Sequence, residues 1–426
     1  MRVGASMFSR RQFRFLPPRR RCDRGVVLIL AIFAVALLTT LAVGITAAVR
    51  VELKAARASL ERMQGLFLAQ AGIDVARAVL VYEDPSYDAF TDPWGPQAEA
   101  PLDEPQPLGS GQYRVQVYDA CGRIDINRAD YQTLVRVTQD PELAQEILRW
   151  RAGHAQEEDY LSLPYPYLPR QGAFQSIGEL LLVQGMTPEL FFGAEGEPGL
   201  VDLLTVEAIS PNTDATGESR TSVRNMASAA AERPDWESWF SQYHASLLEI
   251  ADIATWRRIF NYCPPNSTTG SYTSLAQLAQ VLESYGALAG LDYLCVSPGP
   301  YLPGLVNVNT ASEEVLALLP GGSWAAAQAI VERRNQQPFV SLGELAQFLL
   351  TQEEGFGLLA QMIDQVTTKS SSFVIESMGS VDSGRSSRTL CAYVRRMDGN
   401  VWVLREFDED QPLPPYEQTI RLAVRR

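Results

Sequence analysis

The sequence is short of the side chains that most site chemistry needs. Only two histidines occur among 426 residues, His154 and His244. The five cysteines, Cys22, Cys121, Cys263, Cys295 and Cys391, lie too far apart for a C-x-x-C pair. Structural zinc and dithiol redox motifs need closely spaced Cys and His, so neither is expected. No P-loop, nucleophile elbow or metal-ligand motif is present, and the paired acids Glu313-Glu314 and Glu353-Glu354 read as solvated faces. An enzyme is therefore not expected. Charge is missing altogether from Val26 to Val49. Those 24 residues would form a helix about 36 Å long, enough to cross a hydrocarbon core of about 30 Å with some tilt.

Basic residues crowd the N-terminal side of that run: Arg10, Arg11, Arg14, Arg19, Arg20, Arg21 and Arg24. The positive-inside rule puts this end in the cytoplasm and the remaining chain across the membrane. After Arg50 apolar residues recur at Leu53, Ala56, Leu60, Met63 and Phe67. Steps of three and four mark one face of a helix, here continuing to about Tyr82 for a total of roughly 85 Å. An ordinary secretory signal has a shorter apolar core and no such continuation. The formal net charge is −14; residues 1–25 hold eight Arg and one Asp, so the remainder carries −21. Such a surface repels phosphate backbones and anionic lipid heads. Outside the cytoplasm disulfides persist, which makes Cys121, Cys263, Cys295 and Cys391 candidates, with three pairings open.

Residues 84–111, rich in Pro and acids, read as an irregular connection. Tyr113–Tyr118 alternates with period two and reads as a strand. An internal repeat follows. Ile124-Asp125-Ile126-Asn127-Arg128-Ala129 returns as Val306-Asn307-Val308-Asn309-Thr310-Ala311, and each leads to an apolar helical pattern ending in basic residues. Phe174-Gln175-Ser176-Ile177-Gly178-Glu179-Leu180 returns as Phe339-Val340-Ser341-Leu342-Gly343-Glu344-Leu345. The offset is 182 at Asn127 and 165 at Phe174, so the first copy carries extra residues, placed in His154–Gln171. Asn127 and Asn309 are N-cap candidates, and Ser176 and Ser341 stand at capping-box spacing from Glu179 and Glu344. Between the copies, Pro234–Tyr243, Leu247–Tyr262 and Leu275–Leu288 read as helices, with Trp236, Trp239 and Trp256 on apolar faces. From Ser371 the period changes to two: Phe373–Met378, Arg388–Val394 and Val401–Arg405 read as strands, with a turn at Asp398-Gly399-Asn400.

Gly25 ends the basic segment directly before the apolar run, as in class III prepilin leaders. The fifth residue after such a cut is Leu30, where pilins have Glu. With Asn309-Thr310-Ala311, Ser176–Val183 and Gly185–Leu190, this resembles the minor pseudopilin K family of type II secretion systems along nearly the whole chain. The resemblance implies an α+β pseudopilin fold, a long N-terminal transmembrane helix and small antiparallel sheet, interrupted by a large all-α insertion. The segments expected are a leader over 1–25, the helix over 26–83, connection and first strand over 84–123, and the insertion over 124–368. Within the insertion the repeat copies run about 124–190 and 304–366; the closing strands cover 369–410 and the tail 411–426. It further implies cutting by a prepilin peptidase between Gly25 and Val26, and single-pass insertion in the inner membrane with a periplasmic head. Implied partners are minor pseudopilins I and J, packed along Leu53–Phe67, and an inner-membrane assembly platform; the role is initiating or capping the pseudopilus at its tip. No cofactor is required, and structural calcium is implied for the head without a named site. Residues Asn309–Ile330 also resemble a helix-hairpin-helix module, whose glycine hairpin can offer backbone N–H groups to a phosphate. The first copy has Thr138-Gln139-Asp140-Pro141 there instead. A membrane-anchored DNA-binding protein is thus the alternative, disfavoured by the acidity, and both copies are expected as protein-packing helix-hairpin-helix or SAM-like bundles.

Overall fold

A helix without proline runs from Arg24 to Tyr82 (α1, 59 residues) and ends ahead of Pro85, where the pre-proline position disfavours helical backbone. A computed structural model of the chain describes residues 24–83, 86–163, 166–194, 196–223, 235–243, 245–261, 272–381 and 386–408. The chain divides into two units, Met1–Glu61 and Arg62–Arg426. In the first, the described residues belong to α1, and from Val26 their apolar side chains are exposed apart from the half-buried Ala58. This helix is long and apolar enough to cross a membrane.

In the second unit, α1 lies on a five-stranded antiparallel sheet in the order β1 (Gln106–Leu108), β2 (Gly111–Asp119), β3 (Ser372–Val381), β4 (Ser386–Met397) and β5 (Asn400–Asp408). Ala69, Ile73, Ala76 and Leu80 pack on Val115, Val117, Phe373, Ile375, Ala392 and Val394. Small residues let the backbones come close. A Cβ on Gly379 would sit 2.1 Å from the Gly65 carbonyl oxygen, and one on Gly72 would sit 2.2 Å from Ser377 Oγ. The strands are longer than their alternation indicated, because backbone pairing continues where the apolar alternation lapses. β1 lies within the stretch expected to be irregular; it pairs with β2 from Gln106↔Tyr113 to Leu108↔Gly111. Asp398 and Gly399 both take positive φ, 52° and 71°, as a two-residue hairpin turn with matching twist requires.

β2 and β3 are neighbours, yet the whole insertion lies between them in sequence. It is not all-α. Each repeat copy is closed by a two-residue parallel pair: Ile124↔Leu204 and Asp125↔Thr205 in the first, Val306↔Val366 and Asn307↔Thr367 in the second. The first copy therefore extends to Thr205, beyond the expected end near 190. Two further short pairs, Ile209–Pro211 with Tyr301–Pro303 and Thr221–Ser222 with Leu294–Cys295, tie in the segment between the copies. There the helices are Trp236–Tyr243, Ala245–Ile250, Ile253–Asn261 and Leu275–Ser284, so two expected helices are shorter or divided. Trp256 is buried among them and Trp236 half-buried; nothing is described for the Trp239 side chain.

The copies are built alike. α2 (Tyr131–Thr138) and α3 (Pro141–Ala152) of the first correspond to α4 (Glu313–Leu318) and α5 (Trp324–Gln336) of the second, which α6 (Leu342–Leu350) follows. Asn127 and Asn309 are not N-caps. Asp130 and Ser312, three residues on, fill that role. Asn127 instead brackets a distant backbone: its Nδ2 donates to Phe174 O (2.9 Å) and its Oδ1 accepts from Phe174 N (2.7 Å). Asn309 does the same with Phe339, at 2.9 Å both ways. An amide carries donor and acceptor on one planar group, which a two-way bond to a peptide requires. Ser176 and Ser341 do cap the turns that follow, while Glu179 and Glu344 accept from Gln175 N and Val340 N, one residue before the cap.

The helix–sheet approach is directly testable. Gly379→Val should destabilise the head by about 1–3 kcal/mol or more, because the first clash is with backbone. Thermal unfolding of the purified chain should show a lower midpoint, whereas Gly399→Ala, with open space around the added carbon, should lower it less.

Candidate functional site

The apolar residues picked out by their spacing divide into two sets with different fates. Leu53, Ala56 and Leu60 in the first unit and Met63 and Phe67 in the second are all exposed. The set that packs on the sheet, Ala69, Ile73, Ala76 and Leu80, has the same helical spacing on another face. Val26 and Leu30 are exposed as well, and Gly25 lies in the first turn of α1.

The insertion is pinned where it leaves and rejoins the sheet. Asp119, the last residue of β2, is buried, and its Oδ2 accepts from Thr310 Oγ1 and Ser370 Oγ (2.6 Å each) and from Asn307 Nδ2 (3.0 Å). Its Oδ1 accepts from Cys121 N (2.8 Å). Burial pushes the Asp119 carboxyl up to about 6, against the pull of the Ser370 and Thr310 hydroxyls. Asn307 also donates to Asp88 O (3.0 Å).

Beside this root lies an acid cluster that sequence reasoning missed. Ligand oxygens of Glu83, Asp88 and Asp92 all lie within 4.8 Å of one another. Arg396 of β4 reaches Glu83 Oε2 (2.8 Å), Asp88 and Ser370 O (2.8 Å). Asp88 Oδ2 accepts from Ser370 N (2.7 Å), and Asp92 Oδ2 from Ala89 N (2.6 Å). Burial, with Asp88 alongside, pushes the Glu83 carboxyl up to about 10; burial also raises Asp92. Glu83 Oε1 is buried with no hydrogen-bond partner. Three acids face one guanidinium, and the raised Glu83 carboxyl keeps its proton at neutral pH. Its only sequence trace is Asp88 and Asp92 in a stretch read as a connection; Arg396 lies some 300 residues on, beyond any local pattern.

Cys121 and Cys295 are buried free thiols, Cys391 is buried, and Cys22 and Cys263 lie outside the described residues. Burial pushes the Cys121 and Cys295 thiols up, which keeps them protonated and unreactive. The second copy's hairpin turns toward the first copy: Arg136 Nη1 of α2 donates to Leu319 O (3.1 Å), which also accepts from Gly322 N (2.8 Å).

Residues 306–365 match the family model described as type II secretion system (T2SS), protein K. That stretch is thus similar to protein K of type II secretion systems. The matched residues are the second copy of the repeat, from the strand at Val306–Asn307 almost to its partner at Val366–Thr367. Among solved structures, a chain of the GspK-GspI-GspJ complex from the enterotoxigenic Escherichia coli type 2 secretion system is similar. The likeness covers 84% of this chain and 99% of that one, at 14% identity and a TM-score of 0.45. No curated protein matches. Nothing in these findings favours the DNA-binding alternative.

The two copies differ at one titratable position in a way that pH reads out. Asp125 occupies the place of Asn307 and accepts from Asn127 N (2.8 Å) and Ala208 N (3.3 Å). Burial raises its carboxyl to about 6. The native state then holds more protons than the unfolded chain between about pH 4 and 6, so stability falls as pH rises through that window. Asp125→Asn should flatten part of this slope in denaturant unfolding at pH 4, 5 and 6; an unchanged slope would show that Asp125 does not carry it.

Proposed function

We propose that the protein is the non-enzymatic tip subunit of a type II secretion pseudopilus, which initiates or caps its assembly for export of folded proteins. The exposure of Leu53, Ala56, Leu60, Met63 and Phe67 carries this reading, because an apolar face left open on an extended helix asks for a partner helix. The Arg-rich leader orients the N-terminus to the cytoplasm and the head to the periplasm, in the inner membrane. Prepilin peptidase cuts after Gly25, and Val26 carries the mature amine. Leu30 offers no carboxylate for the amine of a subunit above. That favours a first position in the fibre, and the breadth of the insertion favours the same end. Pseudopilins I and J pack along the exposed face, and the inner-membrane platform receives the three. Both repeat copies act as packing bundles of the helix-hairpin-helix or SAM-like kind, with the hairpin turned inward at Arg136.

The residues of the acid cluster suit structural calcium. Oxygen-only donors match a hard cation, and the unpartnered Glu83 Oε1 leaves one oxygen free. Glu83, Asp88 and Asp92 would hold the ion and tie the end of α1 to the insertion root.

Mass spectrometry of membrane-extracted protein should find Val26 as the first residue, and an intact leader would sink the prepilin reading. Co-purification with soluble I and J heads should succeed for the wild type and weaken sharply with Leu60→Glu, since a buried large apolar side chain is worth about 1.5–3 kcal/mol. An intact complex with that substitution, or filaments of this chain alone, would overturn the tip role. Calcium should raise the thermal midpoint of the chain, and Asp92→Asn should remove that gain; no gain in the wild type would rule the ion out.

A further inference from the structure

We infer that Arg50, Lys54 and Arg57 of α1 form a seat for the headgroups of anionic phospholipid, in the leaflet that the apolar run reaches at Val49. The inference rests on the reading of that run as a membrane span. All three cations lie in the first unit and are exposed. Among the described residues the first ion pair along α1 comes well beyond them, between Asp74 and Arg77 (3.2 Å). Their spacing sets them apart from an evenly solvated charge run. At 3.6 residues per turn, steps of four and three place Arg50, Lys54 and Arg57 within about 60° of the helix surface. Glu52 falls on the opposite side. Glu61 returns to the same face one turn beyond Arg57, farther from the apolar run. The stripe is therefore positive for its first two turns and changes sign only after them.

Charge and depth name the occupant. Residues 50–57 hold three cations and one acid, a net +2, whereas the chain beyond residue 25 carries −21. Charges act over about 8–10 Å at physiological salt, so the repulsion of anionic lipid by the acidic chain is reversed close to the apolar run. A run of about 36 Å against a core of about 30 Å leaves Arg50 at the hydrocarbon boundary or just outside it. Lys54 and Arg57 follow about 6 and 10 Å farther along the helix. The headgroup layer on each side is about 5–8 Å deep, and Lys and Arg bend their long stems toward the polar level. All three can thus meet phosphates of one leaflet, and charged N–H donors suit phosphate oxygens. The apolar stripe of Leu53, Ala56 and Leu60 is centred about 100° round the helix. A companion helix packed on that stripe leaves the basic one facing lipid.

The full-length chain, reconstituted in vesicles of phosphatidylcholine with a minor share of phosphatidylglycerol, tests this. Ala47 lies within the apolar run on the face of the stripe, one turn before Arg50. A photo-reactive benzoylphenylalanine there samples only the leaflet reached at Val49, away from the Arg-rich leader. By mass spectrometry, the ratio of phosphatidylglycerol to phosphatidylcholine among its lipid adducts should exceed the bulk ratio at least fivefold, the weight of about one cation near an anionic surface. The ratio should fall to the bulk value when Arg50→Gln, Lys54→Gln and Arg57→Gln are combined, and should stay high in Glu52→Gln. Adducts at the bulk ratio in the unaltered chain, or enrichment that survives the triple substitution, would overturn the seat. So would adducts to a second copy, or to co-reconstituted companion pseudopilins, in place of lipid. A complete lack of acyl-chain adducts at Ala47 would instead sink the membrane span itself, and the seat with it.

Discussion

The carboxylate of Asp119 holds together what the chain order would keep apart. It ends β2, and β3 begins only after more than 250 residues of insertion. Thr310, Asn307 and Ser370 converge on one of its oxygens from the second repeat and from the return to the sheet. A buried acid is costly to desolvate and is tolerated only when its oxygens are bonded. Here that requirement is met by groups on both sides of the insertion, so satisfying Asp119 closes the insertion root. Ser370 also donates its N–H to Asp88 (2.7 Å), which brings the end of α1 and Arg396 of β4 to the same place.

The repeat shows how one device serves two sites. Each copy folds a pair of helices against a distant loop, and an asparagine fastens that loop by a two-way bond to a phenylalanine backbone. Arg151 and Arg334 close the start of each copy by donating to the Ile126 and Ala129 carbonyls and to those of Val308 and Ala311. The extra residues of the first copy place Tyr160 edge-on to Trp150 at 5.7 Å, so they add core rather than a loose loop. The second copy is the part that matches the protein K family model, and it is the copy that contacts Asp119.

In the second unit α1 serves two environments by face. Gly65 and Gly72 let it lie close on the sheet, and Gly379 gives the same freedom from below. Met63 and Phe67 on another face stay open. Close backbone packing and the buried Ile73 and Leu80 anchor the helix by one face, which leaves Met63 and Phe67 on another available for association.

Much of this was legible from local pattern. The apolar run, the helix beyond it, the repeat, the capping serines and the closing strands follow from spacing, because helix and strand place side chains with fixed periods. The choice between faces of α1 was not legible, since Leu60 and Ile73 are both apolar at helical spacing and only the sheet decides which is buried. The role of Asn127 and Asn309 was misread for a related reason: a cap acts within three residues, whereas their partners stand 47 and 30 residues away. The cluster of Glu83, Asp88, Asp92 and Arg396 and the hub at Asp119 exist only because β2 pairs with β3 across the insertion. The sequence alone determined the long apolar helix, the repeat and the closing strands. Tertiary pairing alone decided which polar residues meet, because their contacts span separations that no periodic pattern encodes.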